Sequence, residues 1–268
     1  MIPTIRNGIQ MASQDIALIS NNLANAGTTG FKRSRSEFHD TYGKGMNSMP
    51  NIDIGHGARS DGPRRSFTQG QIKPSGSELD LAVSGVGMFG TVRLEDADQN
   101  TFGVADQFSF TRDGSFRLDE EGRVVTTDGR AVIREDGELM VVPLERLDEN
   151  GDRQLLTALN IGDDGGFEAT YAGGAVVDLG NVGLFNFANI GALTAIGNGH
   201  FTVSAESGPA QIGRPRDNNF GRILSGNLET ANVNVTNELT KLMQAQQAYS
   251  ASSRLLQSAV DVTKKLIG

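Results

Sequence analysis

An apolar stripe runs through the start of the chain, MIPTIRNGIQMASQDIALISNNLANA (residues 1–26), and determines the kind of fold that follows. Its members are separated by alternating steps of three and four residues: Ile2, Ile5, Ile9, Ala12, Ile16, Ile19, Leu23 and Ala26. This is the a/d spacing of a heptad, which predicts a helix that packs lengthwise against other helices. We expect the helix to end between Asn25 and Gly30, with Gly27 as its C-terminal cap.

A second stripe of the same kind occupies the other end of the chain. Its members alternate steps of four and three residues: Val235, Leu239, Leu242, Gln246, Tyr249, Ser253, Leu256, Val260, Thr263 and Ile267. They predict a second long helix, capped at its start by Asn232 or Asn234. Two such stripes at opposite termini indicate an assembly, in which the terminal helices pair as a coiled coil and also meet their copies in neighbouring subunits. The core face of an ordinary globular helix is the alternative explanation for either stripe alone.

The residues between about 67 and 230 follow a period of two instead. Leu79, Leu81 and Val83 alternate with polar or small residues, and residues 222–228 read as a further strand and turn. Several dipeptides favour tight hairpin turns: Asp113-Gly114, Asp128-Gly129, Asp136-Gly137, Asn150-Gly151 and Asn198-Gly199. Runs of this length and spacing predict an antiparallel β domain.

These patterns together predict a mainly β fold with terminal helices. Residues 1–30 and 231–268 form a terminal helical domain in this division of the sequence. Residues 31–70 and 215–230 form an extended connecting segment, and residues 71–214 form the central antiparallel β domain.

The charge of the chain is unevenly distributed. Residues 1–80 contain nine basic and seven acidic residues, residues 81–234 contain eleven and twenty-three, and residues 235–268 contain four and two. An acidic, turn-rich middle is typical of a solvated globular surface and argues against nucleic-acid binding. The absence of cysteine excludes disulfides and thiolate chemistry.

The sequence also argues against membrane insertion. No apolar run approaches the roughly 18 residues of a membrane span. The first residues lack the basic front, apolar run and cleavage site of a secretory signal peptide. A function outside the cytoplasm therefore requires an export route that does not use such a signal.

Three patterns suggest a bound cofactor or metal, but the residues around each of them do not fit such a site. The glycines of Gly85-Val86-Gly87-Met88-Phe89-Gly90 match a dinucleotide-binding pattern, but a strand-like segment follows them where that pattern needs a helix. Asp148, Asn150 and Asp152 imitate a calcium loop that lacks its glycine and its final glutamate. The histidines His39, His56 and His200 are too scattered to predict a zinc site. We therefore expect no cofactor, no metal and no catalytic residue.

Four segments resemble bacterial flagellar rod and hook proteins. Residues 21–32, NNLANAGTTGFK, resemble the family's N-terminal signature, and residues 79–89 resemble its Leu-Asp-x-Ala-x-x-Gly-x-Gly-Phe-Phe segment. Residues 110–116, FTRDGSF, resemble its Tyr-Thr-Arg-Asp-Gly-x-Phe hairpin, and residues 226–235, GNLETANVNV, resemble its C-terminal motif. Within the family, the length and Gly55 to Arg59 are most similar to the distal rod branch. The short stretch between Asp40 and Ile54 keeps a short hook protein or a proximal rod protein as alternatives.

The resemblance implies a subunit of the flagellar axis. The terminal helices then form an inner tube, the β domain lies outside, and the protein is exported by the flagellar export apparatus without cleavage. Its partners are copies of itself and other rod and hook proteins. The helix–helix interface is assigned to Ile5, Ile9, Ile16, Ile19, Leu23, Leu239, Leu242, Tyr249, Leu256 and Val260. The family signature is assigned to Asn21, Asn22, Leu23, Ala24, Asn25, Thr28, Gly30, Phe31 and Lys32.

Two other classes of protein compete with this interpretation. An exported β-domain enzyme needs a convergent pocket, and a cell-surface binding module needs a ligand. Neither class predicts the paired apolar stripes at the two termini.

Overall fold

The computed structural model describes residues 2–43, 54–94, 108–147, 152–217 and 219–267. These residues form two compact units. The helical unit contains residues 1–26, 32–66 and 233–268, and the β unit contains residues 27–31 and 67–232. Helix α1 spans Ile2–Ala24 and helix α2 spans Val235–Ile267.

The described strands include a long two-stranded ribbon and many short strands. In chain order they are β1 (Ser34–Gly43), β2 (Ile54–Arg65), β3 (Ile72–Pro74), β4 (Leu81–Ser84), β5 (Met88–Arg93), β6 (Phe108–Thr111), β7 (Phe116–Leu118), β8 (Val124–Thr126), β9 (Arg130–Val132), β10 (Glu145–Leu147), β11 (Arg153–Ile161), β12 (Gly166–Tyr171), β13 (Val176–Asn181), β14 (Leu184–Asn186), β15 (Thr194–Gly197), β16 (His200–Thr202), β17 (Gln211–Gly213), β18 (Arg222–Ser225) and β19 (Asn227–Glu229). All the pairings between these strands are antiparallel, which confirms the predicted mainly β class with helices at both ends.

The helical unit consists of two antiparallel helices and the ribbon. Asn22 of α1 contacts Glu238 of α2, while Gly8 approaches Ser252. Fourteen residues separate the two contacts on each helix, so the helices run in opposite directions with a constant register. Strands β1 and β2 also pack against α1. Residues 34–43 and 54–65, which we expected to belong to a connecting segment, therefore supply a pair of antiparallel strands to this unit.

Of the two predicted helix caps, the one at the start of α2 is confirmed and the one at the end of α1 is not. Asn234 caps α2, because its Oδ1 accepts a hydrogen bond from the backbone N–H of Asn237 at 3.0 Å. The expected cap at the end of α1 was wrong. Gly27 is not in the left-handed region, and the residue with a positive φ is Gly30, at 65°.

The β unit is organised around one large sheet. Strands β15, β16, β6, β5, β9, β8 and β7 pair in that order, and β14 with β17 branches from β5. Strands β10 to β13 form a four-stranded sheet in sequence order. Strand β18 pairs with β4 and β19 pairs with β3, so residues from the end of the unit return to its beginning.

Alternation along the strands divides the apolar residues of the large sheet between two cores. In β5, Phe89 joins a core with Val132 and Tyr171, whereas its neighbour Met88 joins a second core with Phe110. Successive side chains of a strand point to opposite faces, so one sheet can carry two separate cores.

Most predicted turns of the β unit are confirmed, but one is wrong. Gly129, Gly137 and Asn198-Gly199 have positive φ at turns. The glycines at 85 and 87 connect β4 to β5, a strand, which rules out the helix of a dinucleotide-binding turn. Asp113-Gly114 does not close a hairpin, because β6 and β7 do not pair. Gly114 is required there because a Cβ would lie 1.7 Å from the carbonyl oxygen of Leu81. The predicted turn at residues 148–151 and the stretch 44–53 lie outside the described residues.

Candidate assembly interface

The predicted stripe residues are covered to different extents within one chain. On α1, Ile19 is buried, and Ile5, Ile9, Ile16 and Leu23 are partly buried. On α2, Leu242 and Leu256 are partly buried, whereas Leu239, Tyr249 and Val260 remain 44%, 41% and 37% exposed. The structure thus brings part of the two stripes together in the helical unit and leaves part on the surface.

The stripe predicted on α2 omits several residues that the structure buries or brings close to α1. Glu238 and Ala245 are buried, and Ser252 lies opposite Gly8 of α1. These positions are small or charged, so a search for large apolar residues overlooks them. A second heptad pattern in the sequence indicates the covered face of α2. Its members are Leu242, Ala245, Ser252, Leu256 and Ala259. Other exposed apolar residues of α2 were also missed: Met243, Leu255, Val262 and Leu266.

Asn22 of the family signature joins three elements of the helical unit. Its Oδ1 accepts the backbone N–H of Ser34 at 2.9 Å, and its Nδ2 donates to the Ser34 carbonyl at 2.8 Å. The same Nδ2 donates to Glu238 Oε2 on α2 at 3.1 Å. Asn22 is 1% exposed and its amide uses both of its ends, as a buried amide requires. The side chain therefore fixes α1 to the start of β1 and to α2.

The carboxylate of Glu238 is also satisfied on its other oxygen. Lys241, one turn further along α2, donates from Nζ to Glu238 Oε1 at 3.1 Å. The Glu238 side chain is buried while that of Lys241 is partly exposed. Asp15 of α1 accepts a hydrogen bond from the hydroxyl of Ser36 on β1. The carboxylates of Glu238 and Asp15 are thus both paired within this unit.

A buried ion pair in the β unit joins two segments that resemble family motifs, Thr-Arg-Asp-Gly and Gly-x-Leu-Glu. Arg112 Nη1 lies 3.1 Å from Glu229 Oε2, and the two side chains are 5% and 0% exposed. Arg112 also donates to the carbonyls of Val83 and Gly85, at 3.3 and 2.7 Å. Burial lowers the pKa of Arg112, and the attraction of Glu229 opposes that shift. An arginine guanidinium stays protonated in proteins, and both terminal nitrogens of Arg112 donate hydrogen bonds here.

The end of the N-terminal signature meets the same ion pair. Gly30 donates its N–H to the backbone carbonyl of Glu229 at 2.8 Å, and Gly70 donates to the Glu229 carboxylate at 2.6 Å. Thr29 Oγ1 donates to Asp113 at 2.7 Å. Three segments that are far apart in sequence therefore converge on one buried joint.

The remaining signature residues lie around these two networks. Asn21 is exposed and its carbonyl accepts hydrogen bonds from Asn25, at the end of α1. Ala24 and Thr28 are exposed, Phe31 is partly buried, and Lys32 is buried. The Phe31 carbonyl accepts the N–H of Asn232 at 3.3 Å.

A histidine–carboxylate pair is the arrangement closest to catalytic chemistry. His200 Nε2 lies 3.2 Å from Asp128 Oδ1, and its Nδ1 lies 3.4 Å from Thr91 Oγ1. Desolvation by burial lowers the pKa of His200, against the opposing attraction of Asp128. His200 and Thr91 are both buried in the sheet, so the imidazole itself is covered by the fold. Among the described residues, no group of His, Asp or Glu side chains is arranged to hold a metal ion.

The described helices also bear on membrane insertion. Neither α1 nor α2 has the combination of length and hydrophobicity that a helical membrane span requires.

These features define a structural protein, whose surface helices and buried polar joints serve packing. Three family models match the chain: "Flagella basal body rod protein" at residues 4–32, "Flagellar hook protein FlgE/F/G D1 domain" at residues 82–169 and "Flagellar basal body rod FlgEFG protein C-terminal" at residues 224–268. The chain belongs to the family of flagellar basal-body rod proteins, which are structural proteins of the flagellum and not enzymes.

Individual relatives match over nearly the whole chain. The flagellar basal-body rod protein FlgG of Buchnera aphidicola subsp. Schizaphis graminum is 31% identical over 99% of both chains. The FlgG of Caulobacter vibrioides is 30% identical over 96% of this chain and 94% of its own. The FlgF of the same organism is 23% identical over 95% and 91%. The predicted resemblance to rod and hook proteins is confirmed.

Proposed function

We propose that this protein is the subunit of the distal rod, which polymerises through its terminal helices into a hollow shaft that transmits torque. The observation that carries the proposal is the surface of α2. This 33-residue helix leaves several large apolar side chains exposed, Leu239 and Tyr249 among them. A helix that is apolar on more than one face is normally buried, so the single chain is an incomplete structure. Copies of the chain supply the missing contacts.

The position along the shaft rests on the comparison between two relatives from one organism. The greater similarity to FlgG of Caulobacter vibrioides than to its FlgF supports a distal rather than a proximal place in the rod. Other rod and hook proteins are then the axial neighbours of this subunit.

The domain roles follow from this proposal. Helices α1 and α2 pair as a coiled coil in the inner tube, the ten stripe residues form the contacts within and between subunits, and the antiparallel β domain lies outside. The flagellar export apparatus delivers the chain without a cleaved signal peptide to a rod that spans the periplasm.

The test is electron microscopy of hook–basal bodies from a strain that lacks only this gene, with a strain complemented by the wild-type gene as the control. A truncated rod without a hook supports the proposal, and a stub that contains the proximal rod supports the distal position. A complete rod that ends without a hook would reassign the protein as a hook subunit. Intact flagella in the deletion strain would contradict a required role in the axis.

A further inference from the structure

The apolar side chains of α2 lie on three faces of the helix. One face packs on α1. A second face, here called the back face, carries Leu239 and Met243, which are 44% and 61% exposed. A third, the groove face, carries Ala248, Leu255 and Val262, at intervals of seven residues. Leu239 and Ala248 are nine residues apart, which is about two and a half turns, so the back face and the groove face point in opposite directions.

Ala248, the first residue of the groove face, lines a cavity of the helical unit. This cavity has a volume of about 390 Å³, is partly open, and is lined by residues of α1, the start of β1 and α2. Leu18 and Ile19 supply apolar lining, and Ala245 and Ala248 are small enough to leave space on the α2 side.

The charged residues that line the cavity disfavour a cationic occupant. The carboxylate of Asp15 is engaged by Ser36, and that of Glu238 by Asn22 and Lys241. A cation that entered would lose water without gaining a free partner among these carboxylates, and Arg35 and Lys241, which also line the cavity, would repel it. The back face matches this requirement, since Leu239 and Met243 are flanked by the uncharged Gln246 and Gln247.

We propose that this cavity receives Leu239 and Met243 from the back face of a second copy of this chain. The inference rests on the proposed function and names the contact through which the subunits pack. Because the two surfaces that meet lie on opposite sides of α2, the contact is heterologous. Each copy offers its back face to one neighbour and its cavity to another, so the contact repeats along an open or ring-shaped array. A twofold dimer would satisfy only one of the two surfaces.

The size of the contact agrees with assembly in a lattice. A stable pair of proteins buries about 800 Å² on each partner. Two side chains in one cavity provide only a part of that area, so the contact holds copies together only when others add to it. Isolated chains therefore stay monomeric, and the contact forms where subunits are added to a growing structure.

Disulfide cross-linking tests the contact directly, because the natural chain has no cysteine. The variant Met243→Cys with Ala248→Cys places one thiol on the back face and one in the cavity. The two positions are five residues apart on opposite sides of one helix, beyond the roughly 7 Å between Cα atoms that a disulfide spans, so any bond joins two chains. Basal bodies treated with copper–phenanthroline are expected to give a ladder of covalent multimers.

The matched control is Met243→Cys with Ser253→Cys, which places both thiols away from the cavity. The same treatment is expected to give no ladder. Assembled basal bodies that show no ladder with the first pair, or equal ladders with both pairs, would overturn the contact while leaving the proposed function intact. When the two single variants, Met243→Cys and Ala248→Cys, assemble together, cross-linking should give dimers and no larger multimers, because each chain has only one thiol. Dimers from either single variant alone would also contradict the contact.

A filled cavity gives a second readout. Ala248→Phe occupies the cavity from an exposed position, so the monomer should keep its helical circular dichroism while rod formation is lost. Ser253→Phe adds the same side chain outside the cavity and should still assemble. Normal assembly of Ala248→Phe would show that the cavity stays empty in the rod.

Discussion

Arg112 and Glu229 form an ion pair that is almost completely withdrawn from water, with 3.1 Å between Nη1 and Oε2. The two residues are 117 positions apart and belong to different family motifs. Their pairing links the end of β6 to the end of β19, while Gly30 and Gly70 bind the same glutamate through their backbone N–H groups. The motifs by which this family is recognised thus mark a structural joint.

Breaking this pair should strongly destabilise the β unit. Glu229→Gln keeps an acceptor for Gly70 but leaves the Arg112 charge buried without a counterion, which costs about 3–5 kcal/mol. Glu145→Gln is the matched control, because Glu145 pairs with Arg153 on the surface and such pairs contribute under about 1 kcal/mol. Urea denaturation followed by far-ultraviolet circular dichroism measures both. Equal losses in the two variants would show that burial of the ion pair has no special weight.

Gly30→Ala should destabilise the chain, and Gly27→Ala should not. A Cβ at Gly30 would lie 2.4 Å from the backbone N of Asp113, and φ is 65°, which an L-residue adopts at a cost of about 1–2 kcal/mol. A Cβ at Gly27 meets no atom within 4 Å. Thermal unfolding of the two variants provides the comparison. A destabilising effect at Gly27 instead would restore the cap that the sequence predicted there.

The Asn22 network predicts a difference between two neighbouring asparagines. Asn22→Asp removes both donated hydrogen bonds and places a second carboxylate beside Glu238, so we expect a loss of about 2–3 kcal/mol in the helical unit. Asn21→Asp changes an exposed residue and should be nearly neutral. The measurement is limited proteolysis of the purified chain. Faster cleavage near the termini is expected for Asn22→Asp alone, and lowering the pH toward 4 should reduce the difference as the added carboxyl is protonated.

His200 should make the stability of the β unit fall on mild acidification. Its folded pKa is lowered from the ordinary value of 6.5 by burial. Between that folded pKa and 6.5, the unfolded state binds more protons than the folded state, so the free energy of unfolding decreases as the pH falls. His200→Gln removes this titration and should flatten the stability profile just below pH 6.5. An unchanged slope in this variant would assign the pH dependence to other groups.

Sequence patterns captured what repeats locally and missed what depends on distant pairing. The heptad steps predicted α1 and α2, and the alternation of Leu81 and Val83 predicted β4, because both signals follow from helix and strand periods. The pairing of Asn22 with Glu238 and of Arg112 with Glu229 could not be read from the sequence, since more than a hundred residues separate the members of each pair. The hairpin turn predicted at Asp113-Gly114 was wrong for a related reason. Gly114 is required by the close approach of Leu81, which is distant in sequence, whereas the dipeptide pattern indicates only a local turn.

Leu239 and Leu242 should separate packing within one chain from packing between chains. Both belong to the predicted stripe, yet Leu239 is 44% exposed while Leu242 is partly buried on the face of α2 that also carries Ala245. Leu242→Asp places a charge between α1 and α2, so it should reduce the helical signal of the purified monomer and prevent incorporation. Leu239→Asp leaves the helix pair intact, because its side chain faces water in the single chain, and it should abolish motility without changing the monomer's circular dichroism. Swarming assays and electron microscopy of basal bodies measure incorporation. A motile Leu239→Asp strain would remove Leu239 from the interface, and loss of the monomer's helical signal in this variant would show that Leu239 acts within the chain.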